Sequence, residues 1–376
     1  MDNTIKGLEL RSLITSDGQL RLNLEEVTLG EPGPDEVVVR VEATPINPSD
    51  LALLLGPADV ATIRAEGTPE RPVLVADVPA KRLGAVRARL DQSMPVGNEG
   101  AGTVIKAGNQ VQHFLGKKVG MLGGGMYTQY RKLPARDCMI LPEGASVVDG
   151  ASMFVNPLTS LGFVETMKAE GHKAIVHTAA ASNLGQMLNR ICLKDGIPLV
   201  NIVRSEAQAQ ILRDIGARYI VNSTSPDFLD ELTEAIAETG ATLAFDAIGG
   251  GQLASQILRA MEAAASRKMT AYNRYGSDTF KQVYIYGNLD VGPTVINRNF
   301  GFAWSIGGWL LTPFLKKAGP EVAARMRQRV VDELTTTFAS HYTKTISLAD
   351  ALKADVLRAY ERKATGEKYL IDPTLP

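Results

Sequence analysis

Apolar and polar residues alternate along the first part of the chain. The run Val37-Val38-Val39-Arg40-Val41-Glu42-Ala43 lies within residues 7–45, which Pro32-Gly33-Pro34 interrupts, and it predicts antiparallel strands joined by turns. Val104 to Tyr130 returns to strands and Gly-rich turns; Gly123-Gly124-Gly125 lies between strands, without the helix that a phosphate loop needs. From about residue 151 the period changes. Helical spacing recurs near 160–170, 186–195, 206–215, 227–238 and 251–264, and short apolar runs fall near 174–178, 198–203, 218–222, 241–246 and 281–287. Alternating helices and strands of these lengths predict a parallel sheet covered on both faces. Glu321 to Leu334 is again helical. The expected fold class is α/β, with a Rossmann-type doubly wound parallel sheet over 151–314 and a mainly antiparallel β domain over 1–150 and 315–376.

One stretch of the second region carries a candidate chemistry. Ala174 to Val176 reads as a short buried strand, Ala179 to Gly185 as a tight turn of small residues, Gln186 to Leu193 as a helix, and Pro198 to Val203 as a second strand. This is the length of a dinucleotide-binding βαβ unit. A pyrophosphate approaches backbone N–H groups at a helix N-terminus, and side chains in the turn would block it. Ala179, Ser182 and Gly185 hold the three glycine-like positions of that fingerprint. Ala/Ser-rich turns also precede helices in proteins that bind no nucleotide, so the pattern alone leaves both readings open.

Composition narrows the function classes. A chain of 376 residues suits two domains, and 45% hydrophobic with 22% charged residues is an ordinary globular balance. A net charge of −1 offers no basic surface for nucleic acid or an anionic membrane. Two cysteines, Cys138 and Cys192, exclude a disulfide framework and a Cys-rich zinc site. Met1-Asp2-Asn3-Thr4-Ile5-Lys6 is not an apolar signal segment, so a cytoplasmic location is expected. Phe300 to Leu315 is apolar but falls short of the roughly 20 residues of a membrane span, and Gly301, Gly307, Gly308 and Pro313 break it.

Several short motifs come in a fixed order. They are Ile46-Asn47-Pro48-Ser49-Asp50, Gly97-Asn98-Glu99-Gly100-Ala101-Gly102, Tyr127-Thr128-Gln129-Tyr130, Asn156-Pro157-Leu158-Thr159-Ser160, the turn above, Ile215-Gly216-Ala217, Phe245-Asp246-Ala247-Ile248-Gly249-Gly250 and Gly366-Glu367-Lys368. In this order and rough spacing, from Ile46 to the C-terminus, the chain resembles the medium-chain dehydrogenase/reductase superfamily in its zinc-free quinone-oxidoreductase and enoyl-reductase branch. The resemblance implies a GroES-like catalytic domain beside the Rossmann domain. Residues 53–93 and 266–280 are longer than the family pattern. The first reads as a solvated surface insertion, with a substrate lid or an added helix pair as alternatives.

Under this resemblance the zinc positions are Asn47, where zinc members carry Cys, and Asn98-Glu99, where they carry His-Glu. No zinc is expected. Ala181, Ser182, Asn183 and Leu184 would cradle the pyrophosphate. Arg204 and Ser205, at the end of the second strand, suit the 2′-phosphate of NADP, so NADPH is the expected cofactor. Glu206 complicates that choice; it reads as the first turn of the next helix. Asn47, Thr159, Ile248, Gly249, Tyr286, Gly287 and Leu289 would surround the nicotinamide, with Asn47 and Thr159 as the catalytic pair. No proton donor is nominated: Tyr127 and Tyr130 read as core, His177 as a packed strand-end residue, and no Ser-Tyr-Lys cluster is apparent. Phe302, Trp304, Ile306 and Trp309 form an apolar row at the family's subunit interface, predicting a homodimer. The expected activity is reduction of a quinone or an α,β-unsaturated carbonyl. A nucleotide-binding protein with little turnover is the alternative, and a zinc alcohol dehydrogenase is disfavoured.

Overall fold

The computed structural model describes residues 4–69, 71–362 and 367–376. The chain divides into two compact units, Met1–Val155 with Arg329–Pro376, and Asn156–Gln328. The first unit opens with β1 (Ile5–Ile14), β2 (Gln19–Leu29) and β3 (Glu36–Pro45). Then come α1 (Pro48–Leu54), β4 (Arg64–Gly67), β5 (Pro72–Asp77), the one-turn α2 (Ala80–Leu83) and β6 (Met94–Pro95). β7 (Glu99–Ala107), β8 (Lys118–Leu122), β9 (Tyr130–Pro134), β10 (Cys138–Ile140) and α3 (Val147–Gly150) complete its first segment. One sheet has the order β4-β5-β2-β1-β6. Alternate residues of its strands, Leu10, Ile14, Leu20, Leu22 and Leu74, form the core beneath it. Each such side chain contributes about 1.5–3 kcal/mol on burial.

Within residues 53–93, β5 is core rather than a solvated insertion, while β4 and much of 80–93 are exposed. β5 pairs antiparallel with β2, Leu22 opposite Leu74, and Leu74, Val75 and Ala76 are fully buried. The segment adds strands to an existing sheet. Pro57, Pro69 and Pro79 lie in connections and Pro72 at the start of β5, where a missing N–H costs no ladder bond.

The second unit contains α4 (Val155–Ala169), β11 (Ile175–His177), α5 (Asn183–Asp195), β12 (Leu199–Val203) and α6 (Glu206–Ile215). It continues through β13 (Tyr219–Asn222), α7 (Phe228–Thr239), β14 (Leu243–Asp246), β15 (Gly249–Gly251) and α8 (Leu253–Ser266). It ends with β16 (Lys281–Ile285), β17 (Asp290–Thr294), β18 (Trp304–Gly308), α9 (Leu311–Ala318) and the start of α10 (Pro320–Asp332). The six-stranded parallel sheet has the order β13-β12-β11-β14-β16-β18, so the strand order reverses between β11 and β14. Alternate residues of each strand serve opposite faces. Val200 and Ile202 pack against Leu232 of α7 and Ile257 of α8. Between them Asn201 faces α5, where it exchanges reciprocal amide hydrogen bonds of 2.7 and 3.0 Å with the buried Asn189.

The apolar row in 302–309 does not share one environment. β18 is an edge strand; Trp304 and Ile306 are half-buried on the core, and Phe302 is 79% exposed. Trp309 turns inward, where its indole N–H donates to Thr166 Oγ1 at 3.0 Å. The segment 266–280 is exposed at Tyr272 but pinned at its end. Lys281 is fully buried and reaches Glu262 Oε2 at 2.5 Å, with Ser277 Oγ and the Thr279 carbonyl as further acceptors.

The tail returns to the first unit with β19 (Lys344–Ile346), α11 (Ala354–Glu361) and β20 (Tyr369–Ile371). β20 pairs with β19 and with the end of β3, extending a second sheet of order β10-β8-β7-β3-β20-β19, with β9 also on β3. Gly366 of the closing motif lies outside the described residues.

Candidate functional site

In the second unit, the residues expected to hold a dinucleotide gather at the C-terminal ends of the parallel strands, where open sheets bind ligands. The turn after β11 is tight. Ala179 adopts a left-handed conformation at φ 49°. Ser182 is the N-cap of α5, its Oγ accepting from Gly185 N at 3.1 Å. A Cβ on Gly185 would lie 2.1 Å from the Ala180 carbonyl, so the first turn of α5 and the turn before it approach as closely as they do only because this position is glycine. Ala180 and Ala181 are buried within the turn, and Leu184 is buried on α5.

At the end of β12, Arg204 is exposed, and its side chain has no hydrogen-bond or ion-pair partner among the described residues. Its backbone N–H donates to Gln208 Oε1 at 3.0 Å. Ser205 caps α6, accepting from Gln208 N at 3.3 Å. Glu206 is the first residue of α6, and its carboxylate pairs with Arg213 on the same helix. That pairing removes much of the repulsion it would offer to a phosphate at Arg204.

The loop after β14 is held by one buried carboxylate. Asp246 Oδ1 accepts from Thr178 Oγ1 at 2.7 Å and from Ile248 N at 2.9 Å, and Oδ2 accepts from Gly249 N at 3.2 Å. Gly249 has φ +81°, and a Cβ on Gly287 would lie 2.5 Å from the Ala247 carbonyl. The two loops are thus locked to each other, and Leu289 N donates to the same carbonyl at 3.2 Å. Tyr286 turns its hydroxyl onto His177 Nε2 at 2.8 Å, within an aromatic cluster with Phe163. Burial pushes the His177 pKa down to about 3, so the ring is neutral at physiological pH. Thr159 is buried on α4.

In the first unit, Asn47 sits in a buried polar cluster. It is the N-cap of α1 and 2% exposed. Its Nδ2 donates to Glu99 Oε1 at 2.7 Å, and Glu99 Oε2 accepts from Phe154 N and Val155 N at 2.9 Å each. Asp50 Oδ2 accepts from Asn47 N and Oδ1 from Asn98 N, both at 2.8 Å. Burial raises the Asp50 pKa to about 7 and pushes Glu99 upward as well, with the Lys368 ammonium opposing the rise at Glu99. Lys368 donates to Ser152 Oγ at 2.8 Å, and Ser152 Oγ meets Tyr342 Oη at 2.7 Å. Tyr127 is fully buried, its hydroxyl donating to the Pro45 carbonyl at 3.2 Å. Among the described residues no three His, Cys, Asp or Glu side chains lie where they could hold a metal ion, and no helix is long and apolar enough to cross a membrane.

Residues 33–143 match the alcohol dehydrogenase GroES-like domain. A chain from Mesorhizobium loti provisionally assigned as an NADPH:quinone reductase is 25% identical and superposes with a TM-score of 0.72 over 99% of both chains. The GroES-like match and the shared fold agree with the resemblance to the medium-chain dehydrogenase/reductase superfamily. Among curated proteins, 2-haloacrylate reductase from a Burkholderia species is 25% identical over 73% of this chain and 75% of its own. The Escherichia coli quinone oxidoreductase solved with NADPH shares the fold, with a TM-score of 0.68 at 18% identity over 98% of this chain and all of that one. The chain also matches highly reducing polyketide synthases from Leptosphaeria maculans and Preussia isomera, spanning only 9% and 8% of their lengths.

The contacts among Ser152, Tyr342 and Lys368 leave no signal in the sequence beyond the Gly366-Glu367-Lys368 motif. Ser152 lies in a connection and Tyr342 before a short strand, so neither carries a local pattern. Asp50 stands in the Asn47 motif, where its role as the acceptor of two backbone N–H groups is not legible from sequence.

Proposed function

We propose that the chain is an NADPH-dependent, zinc-independent reductase of quinones or α,β-unsaturated carbonyls, acting in the cytoplasm as a homodimer. The observation that carries the cofactor choice is the exposed Arg204 guanidinium at the end of β12, the strand that follows the turn of small residues and α5. NADP fits this unit: Ala181, Ser182, Asn183 and Leu184 would meet its pyrophosphate, and Arg204 and Ser205 its 2′-phosphate. Ile248, Gly249, Gly287 and Leu289 would border the nicotinamide, with Tyr286 behind them and Thr159 on α4. Asn47 and Thr159 would orient the reacting partners. When bound, the reduced nicotinamide supplies a hydride.

The names of the relatives, quinone oxidoreductase and haloacrylate reductase, support conjugated acceptors as the substrate class. A quinone needs no side-chain acid, because the charge it gains delocalises into the ring and water can protonate it. Alcohol oxidation in zinc relatives relies on the metal to stabilise an alkoxide. Here Asn47 and Asn98 occupy the ligand positions, and their amides are spent on Glu99 and on Ser49 Oγ.

The test is NADPH oxidation with a simple quinone and with an enone, beside a primary alcohol with NADP. Turnover of the conjugated acceptors with inert alcohol is expected. Robust alcohol oxidation with both acceptors inert overturns the reading. Tight NADPH binding without any turnover moves it to a binding protein.

A further inference from the structure

β18 is an edge strand of the six-stranded sheet, and its backbone bonds reveal which of its residues face outward. The Ala303 carbonyl accepts from Lys281 N at 3.0 Å, and Trp309 N donates to the Ile285 carbonyl at 2.9 Å. The backbone groups of successive strand residues point to opposite edges. In this register Ala303, Ser305, Gly307 and Trp309 spend theirs on β16, and Trp304, Ile306 and Gly308 turn theirs to the open edge. These outward residues are evenly spaced about Ile306 and so form a self-complementary set. An antiparallel copy related by a two-fold axis at Ile306 would pair Ile306 with its own counterpart and Trp304 with the partner's Gly308, leaving none of these groups unmade. A Cβ on Gly308 would meet nothing within 4 Å, so the partner's Trp304 would find open space there.

The same register sets Phe302 opposite the partner's Leu310. These large apolar side chains flank β18 and are 79% and 63% exposed. Phe302 does not stand alone. The Tyr275 ring meets it edge-on with centroids 6.1 Å apart, and the Arg274 guanidinium lies 4.7 Å from the Tyr275 centroid. Tyr275 and Arg274 belong to the segment 266–280, whose end is fixed from within. Glu262 Oε1 accepts from Ser277 N at 2.7 Å, and Oε2 accepts from Ser277 Oγ at 2.7 Å and from Lys281 at 2.5 Å. A Cβ on Gly276 would lie 2.8 Å from Gly301 Cα, so the segment and the approach to β18 touch backbone to backbone. A buried ion pair gains little net stability over apolar residues of the same volume; here it fixes the path of a segment that leaves Tyr272 almost wholly exposed. Tyrosine, phenylalanine and arginine are enriched at interfaces. A covered aromatic side chain buries about 150–250 Å². Tyr272, Tyr275 and Phe302 thus offer on the order of 400 Å², about half of the roughly 800 Å² that each partner of a stable interface contributes. The β18 edge and Leu310 add to that area.

We propose that the segment 266–280 is an interface arm for a second copy of this chain. With the two β18 edges paired about Ile306, Tyr275 and Phe302 of one protomer close over the partner's Leu310, and the two-fold axis repeats the contact at the other end. The proposal rests on the homodimer reading and is independent of the reductase chemistry. Pairing removes both strand edges from solvent, and the arms cover the apolar side chains that flank them.

Cysteine cross-linking and sedimentation test this. Opposite residues that exchange both ladder bonds stand about 5.5 Å apart, within disulfide reach. A mixture of Phe302→Cys and Leu310→Cys chains should therefore form covalent dimers on mild oxidation, while either variant alone should not. Cys138 and Cys192 are buried, and the wild-type chain is the blank. Tyr275→Ser should weaken dimerisation roughly tenfold in sedimentation, with far-UV circular dichroism unchanged. A dimeric wild type whose mixed variants fail to cross-link overturns the register and leaves the homodimer standing. Dimerisation undisturbed by Tyr275→Ser overturns the arm. A monomeric wild type overturns the homodimer reading and the interface together, whatever the NADPH-oxidation assay gives.

Discussion

Asn47 Nδ2 donates to Glu99 Oε1 at 2.7 Å, and this contact sets which way the Asn47 amide points. A carboxylate accepts only, so the amide nitrogen faces Glu99 and Oδ1 faces away, buried and without a partner. Glu99 also holds Phe154 N and Val155 N at the start of α4. Glu99→Gln keeps the shape but offers one carbonyl oxygen to donors that now share two. The variant should lose about 1–3 kcal/mol of stability, the cost of a buried unsatisfied donor. Urea unfolding checks this; an unchanged midpoint would show that Glu99 is dispensable.

His177 makes the second unit acid-sensitive. Its folded pKa of about 3 lies below the ordinary 6.5, so between those values the unfolded chain takes up a proton that the folded chain refuses. Its contribution is fully present above about pH 6.5 and lost as pH falls toward 3, with a slope approaching about 1.4 kcal/mol per pH unit. Asp50, in the other unit, acts with the opposite sign. Its folded pKa near 7 exceeds the ordinary 3.8, so its protonation favours the folded form as pH falls from 7 to 3.8. Both tryptophans, Trp304 and Trp309, lie in the second unit and report its unfolding. Their fluorescence should show Tm falling between pH 6.5 and 4 in the wild type, and falling less in His177→Phe. The same decline in both would refute the assignment.

Gly185→Ala should disturb packing and ligand binding together. The added methyl group would lie 2.1 Å from the Ala180 carbonyl, so the start of α5 must move away from the preceding turn. Overpacking of this kind costs about 1–3 kcal/mol, and the displaced turn should bind NADPH at least tenfold more weakly. Retained stability and retained NADPH affinity, measured by melting and by nucleotide fluorescence, would contradict it.

Arg204→Ala should weaken NADPH and leave NADH nearly unchanged. A charge-assisted hydrogen bond contributes about 1.5–3 kcal/mol, tenfold to a hundredfold in affinity. Fluorescence titration with both nucleotides decides the matter; equal losses would mean that Arg204 serves something other than the 2′-phosphate.

The open edge at β18 should pair with a second copy of the chain. Phe302 and Leu310 are exposed beside it, and an unpaired edge flanked by large apolar side chains invites association. Sedimentation at micromolar concentration should give a dimer, and Phe302→Lys should shift it toward monomer. A monomeric wild type would end this prediction.

The amino-acid sequence by itself determined the parallel sheet and the turn that it presents. One-faced helices and short buried strands leave their period in neighbouring residues, so α5 to α8 and β11 to β16 fell close to where the pattern put them, β15 excepted. The Ala179–Gly185 turn was legible because close backbone approach demands small side chains at fixed offsets. Only the tertiary structure decided the rest. β5 joins β2 across some 50 residues of chain, and its leading Pro72 reads locally as a loop. Trp309 follows the apolar row of Phe302, Trp304 and Ile306 in the sequence, yet its side chain turns inward to a hydrogen bond with Thr166, 143 residues away. Ser152 meets Tyr342 at a separation of 190 residues and Lys368 at 216. No local period spans such distances. The register of β19 on β20, and of β20 on β3, brings those side chains together, and strand register is set by which faces are buried across the whole fold.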